Sequence, residues 1–281
     1  MRNGLRALGA VVAAAIAMLL TAHPANAIPV DNILVAHRGA TTSTAAEGTM
    51  RSYQYAVGHE ADVLDGDVRW TKDGSDADHV GTMIISHDET LNRVTNCSGK
   101  VSSKMWSYIR DHCRTSTKTG KQRLIKLTEL LAFAKAHSNI EVALQIKLTS
   151  LSGGQASQFW KALKASNARV TLEASSGQLS GLNKIKKLDR ADPNYAIRYA
   201  FVTLGTHGWP SWQYVKSVGN SVHARLEIKK SLVQLYQKHN IRVFLFTGVT
   251  KSDYKTMVGK GPEGVVVDDV GKFVRWRNSA P

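Results

Sequence analysis

The sequence predicts an α/β fold, a (β/α)8 TIM barrel with a small excursion after its second strand. Three observations lead there. Short apolar or β-branched runs alternate with helical patterns about eight times, as a parallel sheet with crossover helices requires. Polar clusters stand at or near the ends of those runs, where the βα loops of a barrel gather its active groups. The chain of 281 residues has no Pro/Ser-rich linker, charge block or internal repeat, and α/β barrels commonly run to about 250 residues as one domain. An open doubly wound sheet is the runner-up.

In chain order, the first strand is expected at Ile33 to Ala36, ending in His37-Arg38-Gly39, with a helix near Glu47 to Gly58 behind it. The second, Val63 to Trp70, contains Asp65-Gly66-Asp67. Met83 to Ser86 runs into His87-Asp88 and is expected to pair with strand 2 as the excursion, not as a ninth barrel strand. A helix at Thr128 to His137 precedes the third strand, Ile140 to Ile146, which ends in Gln145-Ile146-Lys147. Strands at Val170 to Ala174 and Ile197 to Leu204, a weak one at Ser217 to His223, and strands at Ile241 to Phe246 and Gly264 to Val267 complete the eight. Helical patterns at Gln155 to Lys164, Leu179 to Leu188, Ser211 to Lys216, Lys229 to His239 and Ser252 to Val258 separate them, and a turn near Gly271 to Trp276 follows.

Residues 1–27 read as a signal peptide: Arg2 and Arg6, an apolar run over residues 8–20, then Ala25-Asn26-Ala27, the small-x-small pattern of a cleavage site. The apolar run is short for a span of about 20 residues, so no stable membrane anchor is expected. The barrel domain is then 28–281, and the protein is expected outside the cell. Its formal net charge of +15 favours anionic partners, although a simply soluble basic surface carries the same charge. Aromatic and basic residues are not interleaved and no nucleic-acid module is present, so nucleic acid is not an expected partner. In an exported chain the only two cysteines, Cys97 and Cys113, are expected to form a disulfide. Oligomeric state is not legible.

Asp65 and Asp67 are two residues apart, and the alternation of a strand points both to one face. Two carboxylates there repel unless a cation lies between them, and oxygen ligation suits Mg²⁺ or Ca²⁺. The alternative is a solvated strand end, against which stand Leu64 and Val68 on the opposite face. His37 and His87 are candidates for acid and base, since cleaving a diester removes one proton and returns another. His59, His79, His112, His137, His207, His223 and His239 have no such neighbours and are read as core or surface. Arg38 and Lys147 would hold phosphate oxygens, the first as a planar fork, the second as a point charge. Arg38 could instead only pair with Glu47, and Lys147 could instead form a Schiff base.

In this order the clusters resemble the glycerophosphodiester phosphodiesterase family, whose pattern runs His-Arg-Gly, Pro-Glu-Asn-Thr, Glu-x-Asp, His-Asp, Glu-x-Lys, Trp-Thr and a Gly-rich strand ending in aspartate. Most of the chain after the signal can be laid along it. The resemblance implies that His37, His87 and Arg38 are catalytic, that Arg38, Lys147, Glu47 and Phe246 bind or brace substrate, and that Asp65, Asp67 and Gln145 hold one divalent ion, Ca²⁺ or Mg²⁺. Ala46 and Gly48 replace the family's proline and asparagine, Asp65 stands for a glutamate, and Phe246 replaces tryptophan. Gln145 replaces the third metal-binding glutamate, so weaker metal binding is expected. Glu141, four strand residues away and so about 13 Å deeper, cannot stand in.

The expected function is metal-assisted hydrolysis of a small-molecule or lipid-derived glycerophosphodiester to an alcohol and glycerol phosphate. Two rivals stay open. One is a phospholipase D or sphingomyelinase-like lipase on the same barrel, for which Trp106, Trp209 and Trp212 could line an apolar approach. The other is a non-catalytic phosphodiester-binding protein, motivated by Gln145.

Overall fold

The computed structural model describes residues 32–73, 80–137, 140–192 and 194–279. The expected signal segment and His79 lie outside the described residues. The elements in chain order are β1 (Ile33–Ala36), α1 (Met50–Gly58), β2 (Val63–Trp70), β3 (Met83–Ile85), α2 (Trp106–His112), β4 (Thr115–Thr117), β5 (Gly120–Gln122), α3 (Leu127–Ala136), β6 (Glu141–Ile146), α4 (Gly153–Ser166) and β7 (Arg169–Ala174), followed by α5 (Leu179–Arg190), β8 (Arg198–Thr203), α6 (Trp212–Val218), β9 (Ser221–Arg225), α7 (Lys230–Lys238), β10 (Arg242–Gly248), α8 (Lys251–Val258), β11 (Gly264–Val267) and α9 (Val270–Asn278).

Eight strands close into a parallel barrel in the order β1-β2-β6-β7-β8-β9-β10-β11, with β11 returning to β1. Each strand is buried on both faces, by helices outside and by the barrel interior within, so it reads as a near-continuous apolar run. Inside the barrel Val35, Val63, Ala143, Phe244 and Val266 form a compact cluster against which Phe246 packs. The larger layer lies between strands and helices, with Tyr53, Phe159, Tyr236 and Tyr254 fully buried in it.

Ring closure is uneven. β2 and β6 share six register pairs, from Val63↔Glu141 to Val68↔Ile146, whereas β1 meets β2 through two, Val35↔Val63 and Ala36↔Leu64. Side-chain carboxylates reinforce that seam: Asp62 Oδ2 accepts from the Leu34 amide at 2.8 Å and Asp65 Oδ2 from the Arg38 amide at 2.9 Å.

The weak strand expected at Ser217 to His223 is displaced. Residues up to Val218 continue α6, whose start is capped by the Ser211 side chain accepting from the Tyr214 amide, and the strand begins at Ser221. Gly219 sits at the break, where a Cβ would lie 2.0 Å from the Tyr199 carbonyl oxygen, so only glycine lets the chain turn this close to the neighbouring strand.

The excursion is larger than the sequence indicated. β3 pairs antiparallel with β2 from Val68↔Ile85 to Trp70↔Met83, and the chain then builds α2 and the β4–β5 hairpin before re-entering at α3. Ile84, Leu91, Val101, Trp106, Ile109 and Leu124 form a satellite core with both cysteines. Cys97 and Cys113 are disulfide-bonded, as expected.

Candidate active site

At the C-terminal end of the barrel a cavity of about 770 Å³ is lined by His37, Arg38, Asp65, Asp67, His87, Gln145, Lys147 and Phe246. Eight of the nine expected catalytic, substrate and metal residues therefore share one space. The ninth, Glu47, lies behind Arg38 with its carboxylate 3.3 Å from an Arg38 nitrogen.

His37 leaves β1 in a tight turn, with Arg38 at φ 55 and Gly39 at φ 88. A Cβ on Gly39 would lie 2.3 Å from Ser52 Oγ, so the His-Arg-Gly order is a steric requirement of the turn as well as a source of chemistry. His37 Nδ1 is 2.6 Å from Asp268 Oδ1, at the end of β11. Burial opposes charge on this ring, but the Asp268 hydrogen bond and the nearby Asp65 outweigh it and raise its pKa. His87 is held in the same way, Nδ1 to Asp88 Oδ1 at 2.8 Å. Here burial prevails, aided by Lys147 and Arg38, and the pKa is lowered despite Asp67 and Asp88. The Arg69 guanidinium donates to the His87 carbonyl at 2.9 and 3.0 Å and to the Lys147 carbonyl at 3.3 Å, fixing the two segments together.

Asp65 and Asp67 are both buried on β2. Burial, and then the charge of Asp67, push the Asp65 carboxyl up to about 6. The Arg38 side chain lies alongside, its Nε 3.6 Å from Asp67 Oδ2, buried and without a hydrogen-bond partner. Lys147 Nζ donates to Gln145 Oε1 at 2.9 Å and stands 3.5 Å from Asp67 Oδ1. Gln145 Nε2 donates to Gln178 Oε1 at 2.9 Å, and that oxygen also accepts from the Ser175 amide.

These donors fit a hard divalent ion. Two buried carboxylates lie on one strand face, the Asp65 pKa raised by burial and then by the charge of Asp67, and an amide oxygen with a second lone pair is an acceptable further ligand. Among the described residues no three His, Cys, Asp or Glu side chains are grouped to hold a metal, so the available set is two carboxylates and an amide. Glu141 lies away from it, paired with Arg198 and Thr171 Oγ1.

Sequence reasoning missed several groups. Glu173 lines the cavity, buried, in the same register row as Asp67 and Gln145. Its Oε1 lies 3.1 Å from His223 Nδ1. Burial, with Asp65 and Asp67, raises the Glu173 carboxyl well above its usual range, while burial and Arg242 push His223 down to about 3. Both shifts favour the uncharged form of each partner across this contact. His223 and His207 line the cavity, which the core-or-surface reading did not anticipate. His59, His112, His137 and His239 pack against Tyr55, Tyr108, Phe133 and Trp212. Of the three tryptophans proposed as an apolar approach, Trp209 lines the cavity, Trp106 is buried in the satellite core, and Trp212 stacks on His239.

A family model described as the glycerophosphoryl diester phosphodiesterase family matches residues 37–272. The chain is 26% identical over 244 residues to a glycerophosphodiester phosphodiesterase of Caldanaerobacter subterraneus, covering 84% of this chain and 94% of that protein. Its fold is similar to that of an Oleispira antarctica phosphodiesterase solved with the product sn-glycerol-3-phosphate, with a TM-score of 0.73, 17% identity and coverage of 88% of this chain and 96% of that one. It is also similar to a glycerophosphodiester phosphodiesterase structure from Agrobacterium tumefaciens, with a TM-score of 0.68, 17% identity and coverage of 87% of this chain and 99% of that one.

Proposed function

The chain belongs to the glycerophosphoryl diester phosphodiesterase family and is a phosphoric diester hydrolase, and from that premise we propose a mechanism in which His37 and His87 share the proton transfers. The observation that carries it is the paired geometry of the two imidazoles. Each is anchored at Nδ1 by a carboxylate, Asp268 or Asp88, which leaves Nε2 as the nitrogen that can meet a substrate.

Their environments push the two rings in opposite directions, and separated pKa values are how like groups acquire different roles. His87, the more readily neutral ring, removes the proton from the attacking hydroxyl. His37, the more readily protonated ring, returns one to the alcohol oxygen as its bond to phosphorus breaks. The nucleophile is water or a neighbouring hydroxyl of the substrate, the latter passing through a cyclic phosphate. Arg38, which lines the cavity, donates to a phosphate oxygen and Lys147 adds a point charge, both stabilising the negative charge that grows in the transition state. Asp65, Asp67 and Gln145 would hold one divalent ion, Ca²⁺ or Mg²⁺, which would supply further neutralisation of the phosphate. Phe246 walls the cavity.

The substrate class is a glycerophosphodiester, cleaved to an alcohol and glycerol phosphate. Support comes from the named activity of the Caldanaerobacter relative and the product in the Oleispira structure. A second reading, a phospholipase D-like action on a lipid with one acyl chain, draws on Leu204 and Tyr214, which line the cavity at 55% and 39% exposure beside Trp209. We also read the protein as exported, from the residue 1–27 pattern and the disulfide; among the described residues no helix is long and apolar enough to cross a membrane.

Release of choline and sn-glycerol 3-phosphate from glycerophosphocholine, titrated with Ca²⁺, Mg²⁺ and EDTA beside a His37→Ala control, tests this reading. Metal-dependent release lost in the control is expected. Release by the control at the wild-type rate would overturn the histidine mechanism, and faster turnover of lysophosphatidylcholine would favour the lipid reading. A transient cyclic phosphate in ³¹P NMR would identify the substrate hydroxyl as nucleophile.

A further inference from the structure

One cationic side chain near the site reaches it from the excursion and has no part in the mechanism above. Arg93 stands between His87-Asp88 and Cys97 in the chain. Its Nε donates to Asp88 Oδ2 at 2.5 Å, and its two terminal nitrogens grip both oxygens of Glu47, at 3.0 and 2.5 Å. The remaining Asp88 oxygen anchors His87 Nδ1, and Glu47 Oε2 also accepts from Arg38 at 3.3 Å. An unbroken path therefore runs His87, Asp88, Arg93, Glu47, Arg38.

We propose that Arg93, carried by the disulfide-bonded excursion, is a positioning residue that holds the acid–base imidazole of His87 and the phosphate-gripping guanidinium of Arg38 in one fixed relation. The proposal rests on the roles given to His87 and Arg38 above.

The chemistry follows from competition for Glu47. That carboxylate is buried and needs a cation. Arg93 occupies it in the bidentate, strongest geometry available to a guanidinium. Arg38 is left with one long contact to it and with Nε unpartnered. Without Arg93, the nearest cation to Glu47 is Arg38, and pairing the two would withdraw Arg38 from substrate. Asp88 would at the same time lose the partner that fixes its side chain, leaving His87 oriented by a carboxylate that is itself free to turn.

Packing does not explain Arg93. Its side chain is 50% exposed and so buries little apolar surface, and Arg38, already 3.3 Å from Glu47, remains as a cation for that carboxylate when Arg93 is removed. The loop that carries it is fixed by other means: Leu91 is buried in the satellite core with Cys97 and Cys113, the Leu91 amide donates to the Gly99 carbonyl, and the Asn96 amide donates to the Arg114 carbonyl. The excursion holds itself together and presents Arg93 outward to the barrel.

The test compares Arg93→Gln, Arg93→Lys and Arg93→Ala with wild type in the full mature protein, measuring kcat and KM on glycerophosphocholine, the affinity for sn-glycerol 3-phosphate by calorimetry, and the thermal midpoint. Arg93→Gln is expected to lower kcat/KM by about 100-fold, through both a higher KM and a lower kcat, and to weaken product affinity several-fold, with the midpoint little changed. Arg93→Lys should recover only part of this, because one ammonium cannot span both carboxylates, and millimolar guanidinium should restore part of the activity of Arg93→Ala. Wild-type kcat and KM in Arg93→Gln would overturn the proposal, as would a loss matched by unfolding in all three variants and not relieved by guanidinium. A wild type that releases no choline, yet binds the product more tightly than Arg93→Gln, would overturn the catalytic reading and leave the link from Arg93 to Arg38 standing.

Discussion

Lys147 and Gln145, two residues apart at the end of β6, are bonded to one another: the ammonium donates to the amide oxygen at 2.9 Å while standing 3.5 Å from Asp67. A neutral amide, itself bonded to an ammonium, thus stands where the family resemblance expects a third carboxylate. Gln145→Glu restores that carboxylate without moving the backbone. It is expected to tighten Ca²⁺ or Mg²⁺ binding on the order of tenfold, since affinity in such sites follows ligand charge. Calorimetric titration of wild type and variant decides it, and equal affinities would remove position 145 from the ion's ligands.

The direction of the two histidine shifts sets the pH profile. With His87 as base and its pKa lowered, and His37 as acid and its pKa raised, the reactive form predominates between the two values. The acid limb of kcat/KM belongs to His87 and the alkaline limb to His37. The Asp268 hydrogen bond raises the His37 pKa against the opposing effect of burial, so Asp268→Asn should move the alkaline limb to lower pH and lower kcat on the order of 100-fold. An alkaline limb that stays in place would transfer it to another group.

Glu173 and His223 make stability depend on pH in a definite sense. Glu173 keeps its proton in the fold, so its contribution is complete below the ordinary glutamate range and falls as pH rises toward the raised value. His223 resists protonation, so its contribution is present above pH 6.5 and is lost as pH falls toward about 3. Glu173→Gln keeps a donor toward His223 and removes the ionisation. Its thermal midpoint should exceed that of wild type at pH 8–9 and match it near pH 5; a variant less stable at both would mean that the carboxylate, not the acid, is the native form.

Opening the disulfide should cost both stability and activity. A loop of about 15 residues corresponds to roughly 3 kcal/mol in the chain-entropy account, or roughly 6–12 °C in the midpoint of a domain this size. Because the bridge pins the segment that immediately follows Arg93, a Cys97→Ser, Cys113→Ser protein should also show a higher KM at temperatures where its circular dichroism is still native. An unchanged KM there would show that Arg93 keeps its place without the bridge.

Much of this was legible from the residues. Barrel strands buried on both faces are continuous apolar runs, which is why β1, β2 and β11 fall where Ile33 to Ala36, Val63 to Trp70 and Gly264 to Val267 indicated. The strand around Ser221 was misplaced because its predecessor helix and the Gly219 break have no apolar contrast at the boundary. Residues of the site that stand in short recognisable strings, such as His37-Arg38-Gly39, could be collected in advance. Glu173, Asp268, Arg69 and Arg93 could not be given their partners, because each acts through a neighbour far away in the chain or across a strand. Glu173 had one available signal, a lone acid in the run Val170 to Ala174, and Arg93 had none beyond its nearness to His87-Asp88.

The two-pair junction between β1 and β2 has a consequence for how the enzyme ages. His37 and Arg38 hang from one side of that junction and Asp65 from the other, so an opening there on warming would misalign imidazole, guanidinium and carboxylate together. Catalytic lifetime would then follow this local opening and not global unfolding. Amide exchange at Leu34 and Arg38 would track the half-life of activity, and a cross-link placed across this junction would prolong service at high temperature more than one placed anywhere else on the barrel.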